Sequence, residues 1–150
     1  MEPSRKTLFW LVAFLFAVHN LEESMTMPRF LEAHPEMLRH LPFTIAHHGF
    51  LRALAFVTLI VMAIAVWGQV RPHSSPPLFC LLLTAAIILI NVAMHAVTAA
   101  ARLGYTPGLA TALAFNLPTS VYVLRRGAKE RWVSRRAMRS LLPAALFLHG

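Results

Sequence analysis

Apolar residues along the chain fall into four long stretches, separated by short connections that contain proline, glycine or charged residues. With their interfacial ends, these stretches approach the ~20 residues that a helix needs to cross a bilayer. They predict spans at about residues 7–26, 45–69, 78–101 and 107–124. The third is the clearest, since no charged residue occurs from Leu78 to Ala101. The pattern predicts an all-α fold, a polytopic membrane protein with four transmembrane helices in one bundle.

Prolines predict where several of the helices end or bend. Pro28 predicts that the first helix ends near Thr26, and Pro118 predicts a kink in the fourth. After the fourth span, apolar and basic positions recur at helical spacing, which predicts a basic amphipathic helix that ends at Pro143. The chain therefore divides into a four-helix membrane domain, residues 1–124, and a basic cytoplasmic tail, residues 125–150.

The composition also favours a membrane protein. Hydrophobic residues make up 57% of the 150 residues and charged residues 13%, whereas a soluble domain has about 45–50% and about 25%. Cys80 is the one cysteine, so no disulfide can form within the chain. The basic start and the apolar stretch after it also fit a signal peptide, although a polar cluster lies where cleavage would occur.

Basic residues predict the topology of the four spans. The formal net charge is +8, and seven of the fourteen Lys and Arg residues fall between Arg125 and Arg139. Cytoplasmic flanks of membrane helices carry such an excess. Because this block directly follows an apolar segment, it indicates membrane lipid rather than nucleic acid as its partner. We expect an integral membrane protein, in the inner membrane of a bacterium, with both termini cytoplasmic.

Ionisable residues in the first predicted span indicate a functional site. His19, Glu22 and Glu23 follow an apolar run and fall within one ~100° sector of a helix. Lipid cannot solvate three such groups on one helix face, so they are expected to face protein or water. The simpler alternative is a helix that ends at Leu21 and exposes both carboxylates to external water.

The third span carries a matching polar stripe, with Asn91 and His95 at its centre. The first and third spans are predicted to run in the same direction. At a rise of ~1.5 Å per residue, Asn91 then lies near the depth of His19, and His95 near that of Glu22 and Glu23. Other polar residues at this depth are candidates for supporting the site or binding substrate, namely Arg52, His47, His48, Tyr105 and Asn116. Together they predict one pocket in the outer half of the bilayer.

Simpler roles stay open for several of these residues. Asn91 and His95 could form interhelical hydrogen bonds only, and the two histidines at positions 47 and 48 could be interfacial residues without chemistry. Arg52 is expected to neutralise Glu22 or Glu23 across helices, or else to hold an anionic group of a substrate.

Imidazole and carboxylate groups at this spacing predict a metal site. His19, Glu22, Glu23 and His95 would be the ligands of Zn²⁺ or Fe²⁺, and Glu22 or Glu23 would act as the catalytic base. This set predicts a hydrolase-like membrane enzyme that acts on a lipid or small amphiphile.

Two other functions remain open. A buried Glu and His could isomerise or cyclise a lipid or isoprenoid without metal. Alternatively, the protein could be a non-enzymatic ligand binder, a small transporter or an assembly partner. Small residues on the third span could then pack against a second copy in a homo-oligomer.

One protein family shows the same motifs. The segment His19-Asn20-Leu21-Glu22-Glu23 resembles the signature of the HXXEE-motif membrane proteins of bacteria and archaea. The segments Asn91-Val-Ala-Met-His95 and Tyr105-Thr-Pro-Gly108 resemble further blocks of that family. The resemblance covers most of residues 8–124. It implies that His19, Glu22, Glu23, Asn91 and His95 act as one functional set, and it implies no particular activity.

Overall fold

The computed structural model describes residues 2–35 and 47–149, and these residues form helices joined by short turns, as predicted for an all-α fold. Helix α1 spans Arg5–Ala33, α2 spans His47–Val70 and α3 spans Ser75–Arg102. Helix α4 is a continuous run of an α-helical turn at Leu109–Thr111, a π-helical segment at Ala112–Asn116 and an α-helix at Leu117–Lys129. Helix α5 spans Arg135–His149.

Helix α1 is longer than predicted. Its start is capped by the Ser4 hydroxyl, which accepts a hydrogen bond from the backbone N–H of Thr7 over 3.1 Å. The helix then continues through Pro28 to Ala33, so the predicted end near Thr26 is wrong. A proline removes one backbone hydrogen bond, and a membrane helix can tolerate that loss. The alternative of a helix that ends at Leu21 is therefore excluded.

The helices pack in two groups that share a core. Helix α1 packs along α2, and α3 packs against α4 and α5. At the crossing of α1 and α2, the Phe9 ring occupies the space of a missing side chain, since a Cβ on Gly68 would lie 2.4 Å from it. Leu82 of α3 fills the corresponding space beside Gly127 of α4. Both close approaches lie near the end of the bundle where α1 and α3 begin and α2 and α4 end.

Polar contacts fix which helix ends lie together. Arg5 forms an ion pair of 3.3 Å with Glu130 and lies 3.1 Å from Nδ1 of His73. The indole Nε1 of Trp132 donates to the same Glu130 carboxylate over 2.7 Å. The start of α1, the turn between α2 and α3 and the end of α4 therefore share one end of the bundle. Helix α4 consequently runs antiparallel to α3.

Within the described residues, three helices rather than four are long and apolar enough to cross a membrane. They are the helices at Arg5–Ala33, Gly49–Val70 and Ser75–Arg102. The predicted fourth span is not supported, because the π-helical segment leaves α4 with an α-helical stretch of 13 residues, whose last turn carries Arg126 and Lys129. The prediction that both termini are cytoplasmic rested on an even number of spans, and it stays a prediction.

The tail also differs from the prediction. Helix α4 continues to Lys129, beyond the predicted end of the fourth span at residue 124. Helix α5 passes through Pro143 to His149, so the prediction that Pro143 ends the tail helix is wrong. Leu141 and Ala145 are buried where α5 packs on α3. The second half of α5 is apolar, and therefore it packs against α3 rather than extending away from the bundle.

Candidate metal centre

Three potential metal ligands converge between α1 and α3. His19 and Glu23 lie one turn apart on α1, with 1% and 8% of their surfaces exposed. His95 of α3 approaches them, and its Nε2 lies 3.3 Å from Oε1 of Glu23. One ligand atom from each residue lies within 4.8 Å of the other two. Two ligand atoms that are bound at ~2.0–2.2 Å to one ion lie at most about 4.4 Å apart, so these three atoms are close to the dimensions of a metal site.

Both imidazoles present an unused nitrogen. Among the described residues, His19 Nε2 and His95 Nε2 are buried side-chain atoms without a hydrogen-bond partner, and so is Oδ1 of Asn91. Asn91 lies beside His19, so all three atoms belong to one small region. A buried polar atom without a partner costs about 1–3 kcal/mol. A bound cation would satisfy two nitrogens and an amide oxygen at once.

A hydrogen-bond chain fixes the tautomer of His19. Its Nδ1 lies 3.0 Å from Oγ1 of Thr111, and that hydroxyl lies 2.5 Å from Oε2 of Glu22. A carboxylate only accepts, so the Thr111 proton goes to Glu22, and the hydroxyl oxygen accepts from Nδ1–H of His19. In the neutral imidazole of His19, the lone pair of Nε2 then points away from these hydrogen bonds. Metal-binding histidines are oriented by partners of this kind.

The structure places the Glu22 carboxylate in this chain and outside the cluster of potential ligands. It accepts hydrogen bonds from the backbone N–H of Thr111 over 2.9 Å, from the Thr111 hydroxyl and from the Tyr105 hydroxyl. Burial and the Glu22 carboxylate raise the pKa of Tyr105 above its ordinary value. Glu22 thus ties α1 to the start of α4, and of the two predicted carboxylates Glu23 alone reaches the cluster.

The backbone at Gly108 forms the wall of the cluster. Its φ of 81° lies in the left-handed region that glycine adopts without strain. A Cβ at this position would lie 2.7 Å from Cε1 of His19, 2.8 Å from Cγ of Glu23 and 3.0 Å from Cε1 of His95. The absence of a side chain therefore allows this loop to close over all three residues.

Other predicted site residues lie around this centre or away from it. Tyr105 reaches it through Glu22. Asn116 is 2% exposed at the end of the π-helical segment, and its Nδ2 has no hydrogen-bond partner among the described residues. Arg52 is exposed, and no ion pair within the described chain joins it to Glu22 or Glu23. His47 and His48 begin α2, but their side chains, which were predicted to support the site, are outside the described part of the structure.

Two important residues were absent from the predicted set. Thr111 orients His19, and Gly108 forms the wall of the cluster. Gly108 carried two signals: it ends the segment that resembles a block of the family, and glycine in a connection often marks a left-handed backbone. Thr111 carried none, because a single threonine in an apolar helix gives no indication of a partner 92 residues away.

A cavity of about 490 Å³ leads away from the centre, between α1, α2, α3 and the end of α5, which contributes Leu148 and His149. Most of its lining is aliphatic. Glu23 and Asn91 belong both to this lining and to the metal-ligand region. Asn20 also lines it and donates from Nδ2 to the Thr58 hydroxyl over 2.7 Å. A ligand in the cavity would therefore meet the candidate centre at one end.

Comparison with known proteins gives one match. A family model described as a protein of unknown function with HXXEE motif matches residues 10–123. That range contains every residue of the centre described above. No curated protein and no solved structure matches the chain.

Proposed function

The chain belongs to the HXXEE family of proteins of unknown function, and from the site at this motif we propose that it is a metal-dependent enzyme of the membrane. The convergence of His19, Glu23 and His95, with two unpartnered imidazole nitrogens, carries the proposal. Two His and one carboxylate form a donor set of catalytic zinc sites and of non-haem iron sites. Both site types leave positions open for water or substrate.

The surrounding side chains support a hydrolytic reaction on a lipid or small amphiphile. A metal ion at the centre would polarise a carbonyl group and activate water. Glu22 already accepts three hydrogen bonds, so it is a poor base and serves to orient His19 through Thr111. Glu23 borders both the centre and the cavity, so one of its carboxylate oxygens would bind the metal and the other would accept a proton from the reacting water.

Metal analysis of the purified protein tests this proposal. We expect about one equivalent of zinc or iron per chain, its loss in His19→Ala and His95→Ala, and chelator-sensitive hydrolysis of an ester or amide amphiphile. His73→Ala is the matched control, because His73 lies at the opposite end of the bundle beside Arg5. Wild-type protein that binds neither metal, even after reconstitution, would refute the proposal.

The close approach of Glu23 and His95 supports a second candidate, a metal-free isomerase or cyclase of a lipid or isoprenoid. The two groups are 3.3 Å apart and mostly buried, which suits proton transfer at an apolar substrate. An isomerase activity that survives complete metal removal and is lost in Glu23→Gln would favour this function over hydrolysis.

A further inference from the structure

The cavity beside the candidate metal centre is elongated along the bundle. Its wall on α3 extends from Cys80 to Asn91, about 16 Å at the rise of an α-helix. Its wall on α2 extends from Leu54 to Ile64, about 15 Å by the same rise. The volume of about 490 Å³ is in the usual range for small-molecule sites. This shape suits one extended hydrocarbon chain.

The polar groups of the lining indicate where the head of such a molecule lies. Asn20 and Glu23 enter from α1 and Asn91 from α3, all toward the centre. Aliphatic residues such as Ile64, Leu83 and Ile87 line the remaining length. A chain in the cavity would thus place its polar end beside the candidate metal ligands.

The charges of the lining restrict the chemistry of that polar end. Among the described residues that line the cavity, none is a lysine or arginine, Glu23 is the one carboxylate and His149 is the one histidine. Phosphate and carboxylate heads are usually held by arginine or lysine. Arg52 and Arg102 are on the same side of the bundle as the centre, but neither belongs to the lining. Arg5 and Arg126 lie at the opposite end of the bundle, where they contact Glu130. The cavity therefore favours an uncharged head that can donate a hydrogen bond.

The wall on α2 provides a route from the bilayer. Val57 and Ile60 line the cavity, and 38% and 44% of their surfaces are exposed. The neighbouring residues Phe56 and Leu59 are apolar and still more exposed, at 64% and 67%, as expected of a helix face toward lipid. A hydrophobic chain can pass between this face and the cavity without crossing water.

We propose that this cavity binds an uncharged single-chain amphiphile with a free hydroxyl in its head, a long-chain alcohol or an ester that keeps such a hydroxyl, which enters sideways from the bilayer past Val57 and Ile60. If this molecule is also the substrate, the proposal rests on the proposed enzymatic function. The binding itself depends on the cavity and on the charges of its lining.

Photolabelling of the full chain in lipid nanodiscs tests the proposal. The probes are a long-chain alcohol with a diazirine in its chain and the matched carboxylate and phosphate monoester. We expect the alcohol to label peptides between Cys80 and Asn91 at least about tenfold more than either anion. Val57→Trp should reduce labelling about tenfold, because the larger side chain fills space that the hydrocarbon chain would occupy. Leu59→Trp, with its side chain toward lipid, should label as the wild type does.

Further controls separate folding from binding, and binding from function. Ile60→Trp serves as a second filling variant, and unchanged thermal unfolding shows that either variant is folded. Equal or stronger labelling by an anionic probe, or full labelling of folded Val57→Trp and Ile60→Trp, would overturn the proposal. The alcohol should still label His19→Ala. If the wild type is labelled but binds no metal, the cavity proposal stands and the proposed metalloenzyme is refuted. If the wild type binds metal but is not labelled, the cavity proposal is refuted and the metalloenzyme stands.

Discussion

The Oγ1 atom of Thr111 lies 3.0 Å from Nδ1 of His19, although 92 residues separate them in the chain. This contact leaves Nε2 of His19 free for a metal, because the same hydroxyl donates its proton to Glu22. We expect Thr111→Val to weaken metal affinity roughly 10- to 100-fold, as the loss of such an orienting partner does. Thr111→Ser keeps the hydroxyl and should keep most of the affinity. Competition with a chelator of known affinity measures the metal affinity of both variants. Equal affinity in Thr111→Val and the wild type would contradict the role of Thr111.

Gly108 and Gly104 form a matched pair in the loop before α4. An alanine Cβ at Gly108 would lie within 3.0 Å of all three potential ligand residues, whereas at Gly104 the nearest atom is 3.8 Å away. Gly108→Ala should therefore lose metal binding and destabilise the fold by about 1–3 kcal/mol, from overpacking and a left-handed φ. Gly104→Ala should retain metal. Metal content and thermal unfolding of the two variants provide the comparison, and full metal occupancy in Gly108→Ala would show that the loop does not close over the site.

The two adjacent glutamates should respond differently to amidation. Glu23→Gln removes the carboxylate that lies 3.3 Å from His95, so bound metal should fall to trace levels. Glu22→Gln leaves the three potential ligands in place and weakens only the support of His19, so metal should stay near one equivalent with lower affinity. The same loss of metal in both variants would place Glu22 among the ligands instead.

Glu130 makes stability at the opposite end of the bundle depend on pH. Hydrogen bonds from Arg126, Trp132 and Arg5 lower the pKa of Glu130 from 4.5 to about 2. The folded state therefore binds fewer protons than the unfolded state between these values. The contribution of these contacts is complete above about pH 4.5 and is lost as the pH falls toward about 2.

We therefore expect the melting temperature of the wild type to fall more steeply over this range than that of Glu130→Gln. The ion pair between Arg126 and Glu130 is partly exposed, so the difference in melting temperature should be modest. Glu2→Gln is the control, because Glu2 is 74% exposed and 3.7 Å from Arg126. Parallel melting curves of Glu130→Gln and the wild type across this range would rule out the contribution of Glu130.

Several features could be predicted because they depend on local order along the chain. The apolar pattern identified the helices at α1, α2 and α3, and the motif at His19 to Glu23 identified the family. Helical periodicity placed His19 and Glu23 on one face, and depth matched them to His95, which the structure brings within reach of both. Helix ends were less predictable. Pro28 and Pro143 are both inside helices, because packing of the surrounding residues outweighs the loss of one hydrogen bond.

The sequence by itself determined that the protein is helical and suited to a membrane, and that His and Glu side chains lie on facing helices. Spacing along a helix fixes the direction of each side chain. Only the tertiary structure decided which carboxylate joins the cluster, because Glu22 and Glu23 differ by about 100° around α1 and each meets a different neighbour. Glu22 meets Thr111 and Tyr105, whereas Glu23 meets His95 and the cavity. Those neighbours come from distant segments, which are brought together by packing of the bundle.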